Sequence, residues 1–164
     1  YMDQVTTFMD SQMAASRRYP DDKILTKTMI NNYAKNHLLP SPNKKKYSKE
    51  HVQILIFIYY FKSFLSISDI QALLTPLTDR YFQNDDGLNV EDLYNEVFGM
   101  EKEQVEYLKN DLLAKYQTAN QSFADADDKD RDFLTLFSFI CLLSFDVYMK
   151  KQLIESIIDS FPSD

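Results

Sequence analysis

Glycine and proline are scarce in this chain of 164 residues, with two of the first and five of the second. An all-β sandwich needs many turns built from such residues, so their scarcity argues for long helices instead. Cysteine is scarcer still. The single Cys141 excludes an intramolecular disulfide and lies inside an apolar stretch, which fits a reduced, cytoplasmic setting. Two glycines cannot build a phosphate-cradling loop. The only histidines, His37 and His51, have no cysteine or second histidine at ligand spacing, so no metal site is expected. The first 20 residues mix acids, arginines and polar side chains with no apolar h-region, so no secretory signal is expected. The chain opens on Tyr1 and not on Met, so a natural N-terminus upstream is expected.

What is present in quantity is apolar and aromatic. Nearly half of the residues are hydrophobic, including 12 Phe and 11 Tyr, enough for a real core. Residues 133–145, FLTLFSFICLLSF, form the longest apolar run, bounded by Asp132 and Asp146. A spanning helix wants about 20 apolar residues, and a shorter run is expected to be a buried core helix and not a membrane segment.

The net charge of −7 is unevenly spread. Residues 1–22 hold four acids and two bases, residues 23–65 hold eight lysines against Glu50 alone, and residues 66–164 hold 20 acids and eight bases. A basic island in an acidic chain is a localised footprint of the kind that meets phosphate, or else a solvated lysine-rich surface.

Helical periodicity and capping signals divide the chain. Residues 3–17 carry a helical face of Val5, Phe8, Met9 and Met13, and Pro20 breaks it. Thr26 is a candidate N-cap for a helix running toward Pro40, with Met29, Ile30, Tyr33, Ala34 and Leu38 inward. Two rows stepping by four, Lys27–Asn31–Lys35 and Thr28–Asn32–Asn36, lie on its other side without an acid. PSPNKKKYS at residues 40–48 is expected to be a loop or small β wing, and Ser48 caps a helix whose middle, ILIFIYYF, is apolar all round, the spine of the fold. SISD at 66–69 opens another helix, and QNDDG at 83–87 is the best internal boundary. Val90, Leu93, Tyr94, Val97 and Phe98 form a helical stripe that Gly99 ends. Val105, Leu108, Leu112, Leu113 and Tyr116 mark the next helix, and an acidic start at 124–132 opens the last. Two acidic loops fail as calcium sites: a frame on Gly87 puts Phe82 and Leu93 where ligands belong, and DADDKDRDFLTL has no glycine.

The order of these pieces resembles MerR-type domains. In those, a recognition helix ends in a Gly-Leu-Leu-like corner, and a proline, a basic wing closing on tyrosine, and further helices follow. The counterparts are MINNYAKNHLLP, NKKKYSKEHVQIL and FKSFLSISDIQALL, within residues 24–75. The phrasing LTKTMINNYAK…KKKYSKEHVQILIFIYY is similar to the domain of unknown function 1836 (DUF1836) family, a bacterial group resembling a divergent MerR-type helix-turn-helix. The pattern departs in places. The usual Arg-Tyr-Tyr run falls on Asn31, Asn32 and Tyr33, of which Tyr33 alone is retained. Residues 3–17 must supply the preceding helix across a long connection, and no cysteine-rich metal-sensing segment follows.

The expectation is therefore an all-α protein: a MerR-like winged helix-turn-helix module with its N-terminal helix over residues 1–82, and a C-terminal helical bundle over 83–164. The resemblance implies a non-enzymatic, cofactor-free regulator that binds double-stranded DNA as a homodimer. Asn pairs with adenine edges and wing lysines neutralise phosphates. The expected DNA-binding residues are Thr26, Lys27, Thr28, Asn31, Asn32, Tyr33 and Lys35 on the helix, with Asn43, Lys44, Lys45, Lys46 and Tyr47 on the wing. The alternatives are a helical protein–protein interaction module that has lost DNA binding, and a small-molecule sensor with its pocket in the C-terminal bundle.

Overall fold

The computed structural model describes residues 1–162. The chain is all-α, as its composition requires. Its helices are α1 (Met2–Gln12), α2 (Lys27–Lys35), α3 (Lys49–Phe61), α4 (Ile67–Tyr81), α5 (Val90–Gly99), α6 (Glu101–Gln121) and α7 (Asp128–Asp159). A 3-10 turn, Ala14–Ser16, follows α1. Among the described residues there is no strand. Where a wing is expected, a single antiparallel bridge joins Asn43 and Lys46.

Local chemistry starts the helices where the sequence places caps. Thr26 Oγ1 accepts the Met29 N–H at 3.1 Å, Ser48 Oγ the His51 N–H at 3.3 Å, and Ser66 Oγ the Asp69 N–H at 3.1 Å. Each satisfies an amide that has no partner inside the helix. The far end of α2 differs from expectation: the helix stops at Lys35, well before Pro40. His37 takes a left-handed conformation at φ 61°, and the Leu38 N–H reaches back to the Tyr33 carbonyl at 2.9 Å. That closure turns Leu38 and Leu39, each 1% exposed, into the core.

The described residues form two compact units. The first is Tyr1–Glu96 with the residues from Phe161, and the second is Val97–Ser160. In the first, α3 is the spine that the sequence leads one to expect, with Ile54, Leu55 and Ile58 fully buried. Met9 of α1, Ile30 of α2, Ile70 and Leu74 of α4, and Val90 of α5 complete its core. The connection from α1 to α2 is pinned at both sides: Arg17 pairs with Asp10 at 3.3 Å, and Lys62 donates to the Ile24 carbonyl at 3.3 Å. The loop at 83–87 lies between α4 and α5, but this unit continues past it to Glu96. The reason is contact with α3. Tyr94 meets Phe57 edge-on at 5.9 Å, Lys49 pairs with Glu91 at 2.5 Å, and Glu50 accepts the Gln83 N–H at 2.8 Å.

The second unit is a two-helix hairpin of α6 and α7. Here the expectation of a buried core run at residues 133–145 needs correction. Thr135, Phe139, Leu142 and Asp146 share the face of α7 that meets α6, and Lys115 of α6 pairs with Asp146 at 2.7 Å. The opposite face is exposed, and Thr135 and Ile158 are the buried residues of this helix. A helix with one neighbour covers one stripe, and α7 carries apolar residues on two. By length and composition α7 is also long and apolar enough to cross a membrane.

Candidate nucleic-acid interface

The expected contact residues divide by what they touch. Lys27, Thr28, Asn31, Asn32 and Lys35 all point outward from α2 and are exposed. Their side chains step along one side of the helix because Ile30 and Tyr33 occupy the other. Tyr33 does not join them. It is buried in the core, and burial pushes its phenol above the ordinary range. Thr26 is held half-buried as the N-cap, its hydroxyl oxygen taken by Met29.

The lysine segment is a tight turn. Asn43 and Lys46 exchange two backbone hydrogen bonds, at 3.1 and 2.9 Å, and Lys44 and Lys45 sit between them at φ 49° and 65°. Two consecutive positive φ values define the hairpin turn that normally selects Asn-Gly. Lysine in the left-handed region costs about 1 kcal/mol or more per residue. Asn43, Lys44, Lys45 and Lys46 are all exposed. Tyr47, half-buried, is the exception within the segment: it packs edge-on against His51 at 5.4 Å, and burial raises its phenol pKa.

His51 anchors the base of this turn. The residue is 2% exposed. Nδ1 accepts the Ser48 N–H at 2.9 Å, so the proton belongs on Nε2, which donates to the Ser41 carbonyl at 3.3 Å. The arrangement is a capping box with histidine where Glu or Gln usually stands. Burial holds the imidazole below its ordinary pKa, against the opposing pull of the Ser41 and Pro40 carbonyls and the Glu50 carboxylate. A neutral histidine therefore ties both ends of the segment, at Ser41 and Ser48, to α3. His37 is the left-handed closing residue of α2.

Two residues absent from the expected set join the helix and the turn. Asp3 forms an ion pair with Lys27, and the Tyr1 ring lies under the Lys46 ammonium at 5.9 Å. The first turn of α1 thus stands between α2 and the wing. No spacing signal reports this, because the partners are more than 20 residues apart.

Elsewhere in the first unit two cations are already engaged. Arg17, Lys23 and Lys62 line a depression of about 470 Å³ beside Tyr59 and Tyr60, but Arg17 and Lys62 hold the connection to α2. In the second unit an apolar cavity of about 240 Å³ opens between α6 and α7, lined by Ala119, Phe123, Phe137, Cys141, Leu142 and Phe145. That is smaller than the roughly 300–1,000 Å³ typical of ligand pockets. Among the described residues, no group of three His, Cys, Asp or Glu side chains stands close enough to hold a metal.

The geometry defines a small helical domain with an exposed, lysine-rich helix-and-turn face. The sequence profile of the domain of unknown function (DUF1836) family matches residues 1–97, more than half of the chain, and the chain belongs to that family. The match ends within one residue of the first compact unit. No curated protein and no solved structure matches.

Proposed function

We propose that the first unit binds double-stranded DNA as the reading head of a cytosolic, non-enzymatic transcriptional regulator, in the manner of a divergent MerR-type winged helix. The observation that carries this reading is the turn at Lys44 and Lys45. An exposed turn that demands positive φ holds lysines in place of asparagine and glycine, so conformational strain is tolerated to keep three adjacent charges at one tip. Such a tip suits phosphate contact. Thr28, Asn31, Asn32 and Lys35 on α2 supply amide and hydroxyl groups for base edges. A homodimer would present two such heads to a pseudo-palindrome.

The test is retention of fragmented genomic DNA, including the region upstream of the protein's own coding sequence, across a salt series. A Lys44→Ala/Lys45→Ala/Lys46→Ala variant runs beside the parent. Each phosphate contact contributes a slope of about −0.9 in log K against log salt, so the variant's slope should be shallower by about 2–3. Folded protein that retains no DNA at low salt would sink the reading.

A second reading, a helical protein–protein interaction module, is favoured by the Asp3–Lys27 ion pair, which places an acid against one of the groove-facing lysines. Under it, DNA retention is absent and a protein partner binds the lysine tip instead.

A further inference from the structure

We infer that the outer face of α7 is the seat of a second copy of this chain, docked antiparallel, so that two α6–α7 hairpins close into a four-helix bundle. The inference is independent of the DNA reading. Phe133, Phe137, Ile140 and Val147 recur at alternating spacings of four, three and seven, with Leu136 and Tyr148 flanking them. All six are between 50 and 68% exposed, and Phe137, at the edge of the stripe, also borders the small cavity between α6 and α7. A contiguous apolar stripe of this kind marks an interaction surface. From Phe133 to Val147 it runs about 21 Å, at about 1.5 Å per residue.

Charge selects the occupant and its direction. Between Asp125 and Asp132 five aspartates outnumber Lys129 and Arg131, whereas Lys150 and Lys151 lie just beyond the stripe's other end. A parallel copy would lay acid against acid. An antiparallel copy, pivoting near Ile140, lays the acidic turns of each chain beside the lysine pair of the other. It also sets Phe133 against Val147 and Phe137 against Leu143. The face is thus complementary to itself under a two-fold axis, which a closed dimer requires. Packing helix pairs this way gives the geometry of an antiparallel bundle.

A lipid bilayer is the competing occupant. It is disfavoured by the ion pair of Lys115 with Asp146, which sits in the apolar half of α7 and ties it to the charged helix α6. Taking α7 into hydrocarbon would require breaking that pair or carrying α6 along.

The experiment uses the full chain without DNA, so its outcome is separable from the DNA reading. Light scattering with size exclusion should give a dimer. Ile140→Glu should raise the dimer dissociation constant by roughly thirtyfold or more, with helicity retained by circular dichroism. Lys150→Asp/Lys151→Asp, on the solvated end of the stripe, should weaken the dimer without touching the apolar contact. Spin labels on Cys141→Ser protein, at Ser144→Cys or Gln152→Cys, then read direction. Antiparallel pairing about Ile140 separates the labels along the axis by roughly 12 Å and roughly 36 Å respectively, whereas parallel pairing makes both short. A monomer at tens of micromolar, short distances at both sites, or a monomer that sediments with phosphatidylglycerol-containing vesicles would each overturn the inference.

Discussion

The two compact units answer the same surplus of apolar residues differently. In Tyr1–Glu96 four helices converge on α3, and Ile54, Leu55 and Ile58 lose all contact with solvent. In Val97–Ser160 two long helices meet along one stripe each, and α7 leaves aromatic residues on its other side in water. The number of neighbours separates them: α3 is apolar all round its middle and finds neighbours on every side, whereas α7 carries apolar residues on two faces and has one neighbour. Acids are shared almost evenly between the units, but the first gathers eight lysines between residues 23 and 65 beside Glu50 alone, and the second carries more acids than bases. A self-contained core accompanies the basic face, and an open apolar face accompanies the acidic hairpin.

The contrast can be broken most directly at the two cores. Ile54→Ala should destabilise the first unit by about 2–5 kcal/mol in denaturant unfolding, because it empties a fully buried site. Ile140→Ala, measured below the concentration at which chains associate, should change stability by less than about 0.5 kcal/mol. Equal losses at the two positions would mean that α7 is covered within a single chain.

A smaller effect sharpens the comparison through pH. The folded-state pKa of His51 lies below its ordinary value near 6.5, so the unfolded chain takes up the proton first. Stability should be full above about pH 6.5 and fall on acidification, with a slope of at most about 1.4 kcal/mol per pH unit from this one group. Melting followed from about pH 7.5 to 5.5 would show it. His51→Gln keeps a capping-box residue beside Ser48 and should flatten that window. An unchanged slope in the variant would assign the pH dependence elsewhere.

The wing offers an effect with opposite signs in two assays. Lys44→Asn/Lys45→Gly should raise stability by about 1 kcal/mol, since both residues suit positive φ, while weakening retention on DNA. Stabilisation with no loss of DNA retention would leave the strained lysines without a role. Least of all, Asp3→Ala should free Lys27 and tighten DNA binding by about twofold at low salt, fading as salt screens the exposed pair.

Much of this was legible from residues alone. The caps at Thr26, Ser48 and Ser66, the spine at ILIFIYYF and the stop at Gly99 all rest on interactions within a few positions along the chain. The exposed lysine and asparagine rows on α2 follow from the same 3.6-residue repeat. Tyr33 and Tyr47 illustrate where such reading fails. Each belongs to a motif by position, yet each ring is turned inward, because a phenol beside Ile30 or His51 gains more from packing than from water. The early end of α2 was hidden for a related reason: burial of Leu38 and Leu39 favours the left-handed turn at His37 over further helix.

Sequence by itself determined that this protein is helical, where most of its helices begin, and that its positive charge is gathered in one segment. Those are consequences of propensity, capping and periodicity, which act over a few residues. Tertiary structure alone decided that Asp3 and Tyr1 stand beside the lysines, that α5 begins on the first unit's core, and that α7 shows an apolar face to solvent. Burial depends on which distant segments arrive as neighbours, and a helix's own residues state only which faces would accept one.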